Sequence, residues 1–94
     1  MADFIFLMHD DGADGGDWPT YLAALRASGC FQGGSSIGSG ILARKSGDVQ
    51  STTAHLAGYI RIEADDLAHA RTLLAGNLAY ESGGTVEIRE LPRD

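Results

Sequence analysis

Phe4-Ile5-Phe6-Leu7-Met8 is an unbroken apolar run that stops at His9-Asp10-Asp11-Gly12. Aromatic and β-branched residues closed off by turn formers predict a central strand, covered on both faces. An acidic, glycine-rich loop over 10–17 follows. Trp18, Leu22 and Leu25 then recur at helical spacing, with Asp17 or Trp18 as the cap and Pro19 in the first turn, where a missing N–H costs nothing. Gly29 stands where a left-handed helix end belongs. Residues 30–36 predict a second strand, interrupted by Gly33-Gly34. The segments 41–44 and 49–52 flank Lys45-Ser46-Gly47-Asp48, which has the turn chemistry of a hairpin.

From Leu56 the alternation is clean: Leu56, Gly58, Ile60 and Ile62 share one face, and Ala57, Tyr59, Arg61 and Glu63 the other. Asp65 and Asp66 predict the start of another helix. Its apolar face is Leu67, Ala70 and Leu74, and Gly76-Asn77 ends it. A short helical or irregular piece at 78–82 leads to Gly83-Gly84. The last strand is 85–91, with Val86 and Ile88 on one side, Glu87 and Arg89 on the other, and Pro92 as its stop.

The order is strand, helix, strand, strand, helix, strand, which is the split βαβ arrangement of a ferredoxin-like sandwich. The expectation is one α+β domain over 1–94, a βαββαβ chain with an antiparallel sheet. Two helices cover one sheet face. The other carries Tyr59, Arg61, Glu87 and Arg89, too mixed for a core and too aromatic for a surface that is merely wet. A second subunit's sheet is its natural cover, so the expected state is a homodimer. The size agrees: a chain of 94 residues buries only about 60–65% of its unfolded surface and gains from association.

Charge narrows the partners. Seven basic residues stand against thirteen acidic ones, a formal charge of −6, and the basic residues are scattered. Nucleic acid and anionic membrane are therefore not expected partners, since phosphate contacts need clustered Lys and Arg. Cys30, the single cysteine, reads as a small core residue rather than a reactive thiol or metal ligand. The first apolar run has no basic region ahead of it and is too short for a signal peptide or membrane span, so a cytoplasmic protein is expected.

Topology supplies the candidate chemistry. Antiparallel pairing of the first and third strands brings His9 and Asp10 beside His55. The first helix starts at that end with Trp18 and Tyr21, and Tyr80 falls nearby; Tyr59 and Ser36 border the same region. Imidazole next to carboxylate suits acid–base work near neutral pH, which makes His9, Asp10 and His55 the candidate catalytic residues. Trp18, Tyr21, Ser36, Tyr59 and Tyr80 are the candidate ligand-binding residues. The same His and Asp lack the spacing of a metal motif, so no metal and no cofactor are expected. The run Asp10-Asp11-Gly12-Ala13-Asp14-Gly15-Gly16-Asp17 lacks the alternate-position ligands and the closing Glu of a calcium loop. The glycines of 33–40 precede no Gly-Lys-Ser/Thr and open no helix, so they are not a phosphate loop. His69, off the helix's apolar face, has no expected role.

Four stretches, taken in order, resemble the YCII-related family, and more closely its DGPF-type branch. They are Trp18-Pro-Thr-Tyr-Leu-Ala-Ala-Leu-Arg-Ala-Ser-Gly29, Gln32-Gly-Gly34, Leu56-Ala-Gly-Tyr-Ile-Arg-Ile-Glu-Ala-Asp-Asp-Leu67 and Gly83-Gly-Thr-Val-Glu-Ile-Arg89. The resemblance implies a dimeric α/β barrel in which two ferredoxin-like sheets face each other. Two departures limit what it implies about activity. The Asp-Gly-Pro-Phe segment is absent. Where family members proposed as enzymes carry a helical His paired with an Asp, this chain has Tyr21. The expected function is thus a small-molecule-binding dimer with its pocket near the ends of the first and third strands. The alternatives are a lyase- or hydrolase-type enzyme using a His/Asp pair, and a structural or regulatory interaction module.

Overall fold

The computed structural model describes residues 1–13, 16–48 and 55–93. Along the chain run β1 (Ala2–His9), α1 (Trp18–Ala27), β2 (Phe31–Ser36), β3 (Leu56–Ala64), α2 (Leu67–Thr72), α3 (Leu78–Glu81) and β4 (Val86–Leu91). The strands form one antiparallel four-stranded sheet in the order β2-β3-β1-β4. This is a small α+β fold compatible with the ferredoxin-like arrangement, with the two inner strands the first and third in sequence.

Alternation sets the faces. Phe4, Phe6 and Met8 of β1 are buried, opposite Ile62, Ile60 and Gly58 of β3. Tyr21 and Leu25 of α1, Ala70 of α2 and Leu74 just beyond it close over them, with Val86 and Ile88 of β4 packed alongside. Phe6 and Ile62 are wholly buried; removing one such side chain from water contributes about 1.5–3 kcal/mol. The opposite face carries Asp3, Ile5 and Leu7, paired with Glu63, Arg61 and Tyr59. Ile5, Leu7 and Tyr59 are only half-buried there.

Caps explain where the helices begin and stop. The Asp17 carboxylate accepts from the Thr20 amide at 3.1 Å and Asp66 from the His69 amide at 2.8 Å. Each satisfies an N–H that has no partner in the helix. Asn77 opens α3 by accepting from the Tyr80 amide at 3.1 Å. Gly29 and Gly76 take positive φ, +79° and +86°, a region costly for residues with a Cβ.

Two sequence expectations are corrected here. Residues 41–44 form no strand: Ile41 and Leu42 are exposed and the segment is irregular. The expected partner segment 49–52 lies outside the described residues. Leu67 is exposed rather than part of α2's apolar face, because α2 is a six-residue helix whose inward side is taken by Ala70, with Leu73 and Leu74 after it.

Candidate functional site

On the helix-covered side, α1 and the α3 region stand away from the β2–β3 half of the sheet and leave a cavity of about 430 Å³. That is within the range of small-ligand pockets. Its floor is made where β3 and β2 carry glycine: Gly58 pairs with Ser36 and Gly34 with Ile60. A Cβ on Gly34 would sit 2.5 Å from the Tyr59 carbonyl oxygen, so the strand admits no side chain at that position. Met8, Trp18, Leu22 and Phe31 supply apolar wall, and Arg26, Asp10, His9, Ser35, Ser36 and Ser82 bring polar groups. The Arg26 guanidinium lies 5.0 Å from the Phe31 ring centre, a cation–π distance.

The His rim lies at the end of β1. Antiparallel pairing places His9 opposite Leu56, with an irregularity between Met8 and His9, and the Asp10 amide donates to the His55 carbonyl at 2.6 Å. The two imidazoles meet edge to face with centres 4.9 Å apart. His9 Nε2 is 3.3 Å from Glu87 Oε1, and Arg89 Nη1 donates to Glu87 Oε2 at 2.8 Å. Arg89 first, and His9 after it, hold the Glu87 carboxyl below its ordinary value. Glu87 pairs with Leu7 on the open face of the sheet, so this His–Glu–Arg chain reaches out to that face, while the cavity lies on the helix-covered one.

The expected site residues therefore separate. Trp18 and Ser36 line the cavity, and so does Tyr59, although alternation turns its side chain to the open face; His9 and Asp10 border it at the end of β1. His55 lies against His9, outside the cavity lining. Tyr21 is a core residue: its hydroxyl donates to the Leu73 carbonyl at 2.8 Å, and burial pushes the phenol up. Tyr80 is exposed and does not reach the cavity. The carboxylate on the His9 ring is Glu87 rather than Asp10; Glu87 comes from the neighbouring strand β4, while Asp10 lies past the end of β1.

Sequence reasoning missed Arg26, Leu22, Phe31 and Glu87. The signal for the first two was present, since Trp18, Leu22 and Arg26 follow one another at intervals of four along a helix and share a stripe. Among the described residues no group of three or more His, Cys, Asp or Glu is placed to hold a metal ion, and no helix is long and apolar enough to cross a membrane. No family model, curated protein or solved structure matches this chain.

Proposed function

We propose that this chain is a YCII-like small-molecule-binding protein that works as a homodimer and uses the cavity between α1 and the β2–β3 half of the sheet. The observation that carries the reading is the cavity itself: about 430 Å³, walled by Met8, Trp18, Leu22 and Phe31, with Arg26 and Asp10 bordering it. Apolar concavities with sparse, convergent polar groups are the usual form of a small-ligand site. An acid–base enzyme is favoured less. Of the imidazole–carboxylate pair only His9 borders the cavity; Glu87, opposite Leu7 in the sheet, stands on the open face, away from the space a substrate would fill. Proton transfer needs hydrogen-bond reach between the two.

Trp18 is the only tryptophan and lines the cavity, so its emission reports occupancy. Titration with the neutral apolar fluorophore N-phenyl-1-naphthylamine should quench it saturably, at one probe per chain. Ser36→Phe, which places a ring in the cavity from an exposed strand position, should weaken the probe by about tenfold or more. Non-saturating quenching, or full affinity in Ser36→Phe, overturns the reading.

A further inference from the structure

The cavity has two unlike ends. Phe31 pairs with Ile62 and Ser36 with Gly58, so it runs along β2 and β3. Gly58 to Ile62 spans about 13 Å at about 3.3 Å per residue. Arg26 stands over Phe31 at one end, and Asp10 borders the other, past the end of β1. Arg26 is the cavity's cation. Arg89 and Arg93 are occupied by carboxylates, and Arg44 and Arg61 donate to main-chain carbonyls. Among the described residues, the Arg26 guanidinium has the Phe31 ring as its neighbour and no hydrogen bond or ion pair to the protein. Its five N–H donors, 5.0 Å over the Phe31 ring at the cavity's edge, suit a carboxylate held through two hydrogen bonds.

We propose that the cavity takes an elongated apolar monocarboxylic acid, with its carboxylate on Arg26 and its apolar body running along Trp18 and Leu22 toward Met8. This rests on the small-molecule-binding reading and names the ligand class. Asp10 at the far end sets the orientation and selects against a second carboxylate, because like charges repel.

Calorimetric titrations with 2-naphthoate, its neutral isostere 2-naphthamide and 2,6-naphthalenedicarboxylate test the assignment. Naphthoate should bind about tenfold or more tighter than the amide, since an ionised hydrogen bond distinguishes them, and the dicarboxylate should bind more weakly than naphthoate. Arg26→Gln, at an exposed helix position, should erase the preference for the acid, bringing the ratio of acid to amide affinity to about one; Arg26→Lys should keep part of it. Equal affinities for acid and amide, or a preference that survives Arg26→Gln, overturns the acid assignment and leaves the cavity reading standing. If neither naphthoate nor N-phenyl-1-naphthylamine binds, both fall together.

Discussion

Tyr21 shows how one turn of helix separates a wall from a core. Its hydroxyl donates to the Leu73 carbonyl at 2.8 Å, tying α1 to the segment after α2. The wholly buried Asn77 lies close by, its Nδ2 without a hydrogen-bond partner and its Oδ1 engaged by the Tyr80 amide. Tyr21→Phe should cost about 0.5–1.5 kcal/mol, the net value of one buried hydrogen bond, and leave N-phenyl-1-naphthylamine affinity unchanged. Paired urea and fluorescence titrations check both. A loss of probe affinity would put Tyr21 back in the site. Phe6→Ala should cost about 3–5 kcal/mol, because Phe6 is wholly buried at the centre of β1. The core was legible at this scale: alternation alone selects Ile60 and Ile62, and both are buried. Tyr21 was not, because helical spacing places both Tyr21–Leu25 and Trp18–Leu22 on inward stripes, and which stripe meets the sheet depends on how the helix is rolled.

At the scale of elements, the irregular parts of the sheet are where the sequence was hardest to read. Gly33-Gly34 marked an interruption, and the pairing of β2 with β3 shifts register between Phe31 and Gly33, with Gly33 at φ +130°. The hairpin expected over 41–52 rested on the turn chemistry of 45–48, and its first flank, 41–44, is irregular and exposed, since turn residues without a pairing partner do not make a strand. The loop after β1 is held more firmly: Asp11 accepts from the Thr85 amide and hydroxyl, both at 2.7 Å, and so clamps that loop to the start of β4. Those bonds hold the Asp11 carboxyl below its ordinary value, as Arg93 does for Asp3 and Thr20 for Asp17. A carboxyl depressed in the folded state stabilises above its unfolded value, about 3.9, and loses that contribution as pH falls through the folded one. The urea midpoint should therefore be level from neutral pH to about 5 and then drop. In Asp11→Asn it should start lower and drop less. An unchanged acid limb in that variant would remove Asp11 from the account.

The whole molecule is a sheet with helices on one side, and that leaves the other side to explain. Ile5 and Leu7 lie at its centre beside Tyr59, and all three are half-buried. Around them stand Arg61, the Asp3–Arg93–Glu63 network with its 2.6–2.8 Å ion pairs, and the His9–Glu87–Arg89 chain. An apolar centre ringed by charges is the anatomy of a protein–protein interface. The proposed partner is a second copy packed sheet to sheet. Such a contact should bury at least about 1,000 Å² in total to be specific, and sheets that pack face to face interdigitate side chains like these at about 10 Å separation. Leu7→Glu places a charge at the centre of the face without touching the core, which lies on the other side of β1. Sedimentation velocity at micromolar concentration should show a dimer for the native chain and a folded monomer for Leu7→Glu, with its circular dichroism unchanged. A native chain that sediments as a monomer removes the dimer from the proposal. A dimer that persists in Leu7→Glu moves the interface elsewhere, with the edge strands β2 and β4 as the next surfaces to test, since a strand edge is the other part of a sheet able to recruit a second chain.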